Sequence, residues 1–224
     1  MNYKKILKVV GVVAVAAFFC VGCGGDNGTG KEPDKPDIPD TPNSGGNPSG
    51  TTFQDSRDST TYNRVRIGTQ VWMAENLNYN ATGSVCYNNS ADSCAKYGRL
   101  YNWNDAKKAC PAGWHLPSDD EWTRLTNFVG DTLTAGTKLK SSTGWNSDED
   151  VPAGADQYGF SALPGGRRSS TGVFYAAGNF GLWWSATDRY AGGVWSRCIY
   201  YYSEKVSKEY NNMSDRLSVR CVED

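Results

Sequence analysis

The chain predicts an α+β domain carried behind an export signal and a tether. Helical periodicity occurs twice, both times before residue 131, and short β-like runs fill the remainder of the chain. No βαβ alternation joins the two kinds of segment, so a mixed, mostly antiparallel architecture is expected rather than a parallel sheet. Composition confines all eight tryptophans to the stretch from residue 51 on, with no further linker inside it, which makes one domain over 51–224.

The first 22 residues have the form of a signal peptide. "MNYKKILK" is basic, and the apolar run after it is too short for a span of about 20 residues. Val21, Gly22 and Cys23 resemble a bacterial lipobox, which makes Cys23 the expected lipidation site and mature N-terminus. Gly24, where aspartate would favour the inner membrane, points to an outer-membrane lipoprotein, periplasm-facing or surface-exposed. Removing Lys4, Lys5 and Lys8 with the signal leaves 20 basic residues against 24 acids, a net charge of −4. That balance excludes an ordinary nucleic-acid binder, which needs a basic face.

Residues 23–50 are nearly devoid of apolar side chains. Pro33, Pro36, Pro39 and Pro42 recur with the period of polyproline II, a stiff extended spacer. A lipid anchor and a spacer together imply a membrane as one partner.

Within the domain, "RVRIGTQVWM" predicts a hairpin. Val65 and Ile67 alternate with polar residues, Gly68 and Thr69 form the turn, and Val71 and Met73 continue the period. "YGRLYNWNDAKKAC" predicts a first helix, with Leu100, Trp103, Ala106 and Cys110 on one face. Pro117 blocks a helix before it, and Ser118 with Glu121 then forms a capping box for a second. Its buried stripe is Trp122, Leu125 and Val129, ended by Gly130. Beyond it, "GVFYAAG", "LWWSAT", "VWSRCIYYY" and "RLSVRCV" predict short strands between turns. Five cysteines fall in the domain, and fifteen arrangements of two disulfides and one free thiol are open. Among the domain's five cysteines there is no C-x-x-C, and His115 is the one histidine of the chain, so no metal site is expected in the domain.

"FQDSRDSTTYNRVRIGTQVWMAENLNY", "CYNNSADSCAKYGRLYNWNDA", "CPAGWHLPSDDEW", "GFSALPGGRR", "WWSAT" and "SVRCV" stand in the order found in the Fibrobacter succinogenes major paralogous domain, which the chain therefore resembles. The resemblance covers about residues 53–222. That family is similar to the formylglycine-generating-enzyme branch of the C-type lectin fold, which implies two helices and several short strands. It further implies a disulfide from Cys110 to Cys221 and a local one from Cys86 to Cys94, leaving Cys198 free in a strand.

Catalytic readings fail on the residues. "GFSAL" lacks the final glycine of a nucleophile elbow, so His115 beside Trp114 is expected to be structural. Asp119, Asp120 and Glu121 suit a helix first turn, where the macrodipole favours anions. "WND" at 103–105 matches a lectin calcium triplet in letters but falls on the first predicted helix. Residues 146–156 carry oxygen ligands for a structural calcium but lack EF-hand spacing, so a solvated loop is expected. "LPGGRR" lacks a P-loop ending and reads as a tight turn. The resemblance would supply copper through paired late cysteines, and here Cys198 and Cys221 are far apart in sequence. No catalytic residue and no cofactor is therefore assigned.

Residues 190–215 are dense in Tyr, Trp, Ser and Asn, a composition suited to recognition surfaces. Tyr190, Trp195, Tyr200, Tyr201, Tyr202, Tyr210, Asn211 and Asn212 are the candidate ligand-binding residues. The function expected is binding of a polysaccharide or a partner surface, as in adhesion. An altered formylglycine-generating-like enzyme and a structural envelope protein are the alternatives.

Overall fold

The computed structural model describes residues 52–188 and 193–224; the signal, the lipobox cysteine, the tether and Tyr190 lie outside them. Strands β1 (Thr52–Gln54), β2 (Thr61–Ile67) and β3 (Gln70–Met73) lead to α1 (Ala91–Tyr97), β4 (Leu100–Tyr101) and α2 (Trp103–Ala109). Then come β5 (Trp114–His115), α3 (Asp119–Phe128), α4 (Ala135–Leu139) and the hairpin of β6 (Arg167–Arg168) and β7 (Phe174–Tyr175). The long strands β8 (Phe180–Asp188), β9 (Gly193–Tyr200) and β10 (Ser207–Asn212) succeed them, and β11 (Leu217–Ser218) and β12 (Val222–Glu223) come last.

The architecture is α+β, with four α-helices among the described residues where two were expected. The helix read over 97–110 is shorter than its pattern. Leu100 and Tyr101 pair with Ser218 and Leu217 as a strand, and the helix starts after Asn102, whose side chain accepts from the Asp105 amide. Leu100 is buried by strand pairing and Trp103 by helix packing, so their spacing matched a single helical face by coincidence.

Two five-stranded sheets carry the domain, in orders β1-β2-β3-β12-β5 and β10-β9-β8-β11-β4. Pairing is antiparallel except between β11 and β8. The β2–β3 turn forms at Gly68 and Thr69 as predicted, with Gly68 at φ +60°. Its register sets Val65 opposite Trp72, so Val71 and Met73 face the other way from Val65 and Ile67. Both faces are buried: Val71 and Met73 pack with Tyr101, Trp103 and Trp184, and Val65, Ile67 and Trp72 pack with Trp122, Leu125 and Phe160.

"RLSVRCV" does not form one strand. Its first half joins one sheet and its second half the other. Between them Arg220 is fully buried. Its guanidinium donates to Asn76 Oδ1 (2.8 Å), to the Met73 carbonyl (3.1 Å) and to the carbonyls of Phe160 and Ser161, and it lies 4.5 Å from the Phe160 ring centre. Asn76 Oδ1 also accepts the Trp183 indole N–H at 2.8 Å. Burial without a contacting carboxylate lowers the Arg220 pKa to about 9. Two other sequence landmarks thus meet on this cation, and a third joins them through Asn76.

Cys86–Cys94 and Cys110–Cys221 are disulfide-bonded, and Cys198 is free and buried in β9. The first staples the turn before α1, and the second ties the end of α2 to the segment between the two sheets.

Candidate functional site

The capping box is formed: Ser118 Oγ accepts from the Glu121 amide, and Glu121 Oε2 accepts from the Ser118 amide at 2.8 Å. A second contact fixes the helix against β8. Register shifts between Trp184 and Asp188, and in that irregular stretch Thr187 Oγ1 accepts from the Asp119 amide while the Ala186 amide donates to the Pro117 carbonyl. Trp122 Nε1 donates to the Trp184 carbonyl as well. The first turn of α3 is therefore held at a fixed place over the sheet.

His115 bridges two acids rather than serving a nucleophile. Nε2 meets Glu121 Oε1 at 2.9 Å and Nδ1 meets Asp224 Oδ1 at 2.7 Å. Partial burial opposes its charge, but those two hydrogen bonds prevail and raise its pKa. Asp224 was invisible as a partner from sequence because it lies 109 positions away.

Alternation along β9 sorts the candidate residues. Val194 and Cys198 point into the core with Trp184 and Leu217, and Tyr200 packs at the edge of that cluster. Trp195 and Arg197 lie on the opposite face, opposite Tyr210 and Lys208 of β10. On that face Arg197, 4% exposed, donates to Asp119 Oδ1 (2.5 Å), the Asp119 carbonyl (3.1 Å) and Thr123 Oγ1 (3.1 Å). Lys208 Nζ meets Asp119 Oδ2 at 2.7 Å and sits 4.0 Å from the Trp195 ring centre. Burial opposes the Asp119 charge, but hydrogen bonds from Arg197 and Lys208 outweigh it and lower the pKa. A groove of about 410 Å³ opens here, lined by Asp119, Thr123, Thr132, Arg197, Lys205 and Lys208 among others. Sequence reasoning found Trp195 and Tyr210 but missed Asp119, Arg197 and Lys208, since only the β9–β10 register brings them together.

The remaining candidates lie elsewhere. Tyr200 donates its hydroxyl to Glu209 Oε1 at 2.7 Å, packs edge-on to Phe180 and stacks on Tyr202 at 5.1 Å. Asn211 is buried, donating to Ser196 Oγ and accepting from Arg167, so it fastens β10 instead of facing a ligand. Asn212 caps a turn by accepting from the Ser214 amide. Tyr201 lines a smaller cavity of about 160 Å³ with Lys140, Trp145 and Asp148. Lys140 is buried and donates to the carbonyls of Tyr201 and Ser203; burial lowers its pKa to about 8.

Residues 146–156 form an irregular loop, and among the described residues no group of three or more His, Cys, Asp or Glu is placed to hold a metal ion. "LPGGRR" makes a tight turn: a Cβ on Gly166 would lie 2.3 Å from the Tyr175 carbonyl oxygen, and its φ is +65°. Among the described residues no helix is long and apolar enough to cross a membrane.

No curated protein and no solved structure matches the chain. Residues 65–223 match the profile of the Fibrobacter succinogenes major domain, which covers both halves of the capping motif, all four disulfide cysteines and the groove. The chain belongs to the Fibrobacter succinogenes major domain family.

Proposed function

We propose that this chain is an outer-membrane lipoprotein, anchored through Cys23, whose domain has a C-type-lectin-like fold and binds polysaccharide. One observation carries the binding reading: Trp195, Lys208 and Tyr210 share a sheet face beside a hydroxyl-lined groove of about 410 Å³. Indole and phenol faces supply apolar area to sugar rings, while Thr123, Thr132, Asp119 and Lys208 can fix ring hydroxyls. Tyr210 is 64% exposed, a large outlay of aromatic surface for a position that contributes little to the core. The proline period over residues 33–42, a composition suited to a spacer, accords with the same reading.

The test is retention on a panel of immobilised cell-wall and extracellular polysaccharides. Trp195→Ala with Tyr210→Ala should weaken retention about tenfold or more while shifting the unfolding midpoint little. Equal loss of retention and of cooperative folding would assign both rings to structure instead.

A further inference from the structure

We infer that the groove takes an acidic polysaccharide, one whose sugar units carry carboxylate or sulfate groups. The inference rests on the polysaccharide reading of the same site and adds the charge class of the ligand.

The charged residues lining the groove are Arg197, Lys205 and Lys208 against Asp119. The chain as a whole carries a net charge of −1, so this is a local excess of positive charge on a mildly acidic protein. One carboxylate serves two cations here: Asp119 holds Arg197 through Oδ1 at 2.5 Å and Lys208 through Oδ2 at 2.7 Å. Arg197 is the buried member and Lys208 the accessible one, with side chains 5% and 42% exposed. Lys208 can therefore swing from Asp119 to a ligand anion without leaving a buried acid unpaired, because Arg197 stays in place.

The position of that detachable cation fits a charged sugar. Its amine lies over the Trp195 ring, 4.0 Å from the centre, and the exposed Tyr210 stands opposite Trp195 two residues along β10, so one ligand unit can stack on the phenol face while its anionic group meets Lys208. Lys205 is exposed and brings a second cation to the same groove, and Thr123, Thr132 and Ser207 supply hydroxyls along it. A neutral glycan would leave this excess charge unused, and a basic one would be repelled by it.

Titration calorimetry of the full chain with polygalacturonate, dextran sulfate and dextran tests the inference. Polygalacturonate, dextran sulfate or both should bind, weakening about tenfold when salt rises from about 50 to 300 mM. Binding of the first alone identifies a uronate ligand, and of the second alone a sulfated one. The Lys205→Ser/Lys208→Ser variant should weaken binding about tenfold or more, with Lys108→Ser, on α2 and outside the groove, unchanged. Lys205→Ser alone keeps the comparison readable if the pair disturbs the Asp119 cluster. Equal weakening by Lys108→Ser would overturn the groove as the site, leaving only general charge attraction. Equally tight binding of carboxyl-reduced polygalacturonate or of dextran would overturn the acidic class while sparing the polysaccharide reading. Retention of no polysaccharide, charged or neutral, would overturn both.

Discussion

His115 and Lys140 are both held away from their usual titration, in opposite senses and with opposite effects on stability. For His115 the folded pKa lies above the unfolded one, because Glu121 and Asp224 favour the imidazolium. Its contribution is complete below about pH 6 and is lost as pH rises through the folded value. The ring is 41% exposed, so the effect is small, about 0.5 kcal/mol. Denaturant unfolding between pH 5.5 and 8 should show that decline in the wild type and not in His115→Gln. Lys140 behaves the other way. Burial lowers its folded pKa to about 8, so the folded state binds fewer protons than the unfolded one and stability rises with pH from about 8 upward. Against Lys140→Met, the wild type should gain roughly 2 kcal/mol between pH 7.5 and 9.5. A flat difference curve would show that the amine is well solvated in the folded protein.

At the level of elements, local chemistry was legible and long-range pairing was not. Ser118 and Glu121 are three residues apart and meet through their own helix, so the sequence alone located α3 and its buried stripe. The β2–β3 turn was legible for the same reason. Strand β10 was not, because "SKEYNN" contains no apolar alternation: its buried position is Asn211, satisfied by Ser196 and Arg167. The tyrosine run was legible as a feature and misleading as a unit, since β9 ends at Tyr200 and sends successive rings to different places. Tyr200→Ala should cost about 2–3 kcal/mol, having lost packing on Phe180 and the bond to Glu209. Tyr202→Ala, 52% exposed, should cost under about 0.5 kcal/mol. Thermal melts of the two variants check the contrast.

Over the whole molecule, the landmarks that identified the family are those that converge on the interior. Asn76, Phe160, Trp183 and Arg220 come from four distant segments and share one hydrogen-bonded cluster. No spacing rule could show that contact, because it depends on two sheets closing around residues 217–223. The Cys110–Cys221 bridge spans 111 residues and lies beside the cluster. Replacing both cysteines by serine should lower stability by about 2–5 kcal/mol, measured as a shift in denaturant midpoint; the eight-residue Cys86–Cys94 loop should matter less. The groove was legible only in part: the aromatics beside it, Trp195 and Tyr210, stand out in composition, whereas its ion pairs exist only once α3 docks on β9 and β10.

The division of residues 217–223 between the two sheets has a consequence in time. A ribosome makes this segment after every strand that it completes. Until it arrives, β3 and β5 lack the strand that joins them, β8 and β4 lack theirs, and Cys110 has no partner. Early collapse therefore cannot finish either sheet, and the nascent chain stays unlocked until residues 217–223 are made. Under the proposed export, a chain handed over during synthesis would stay threadable until residues 217–223 are made.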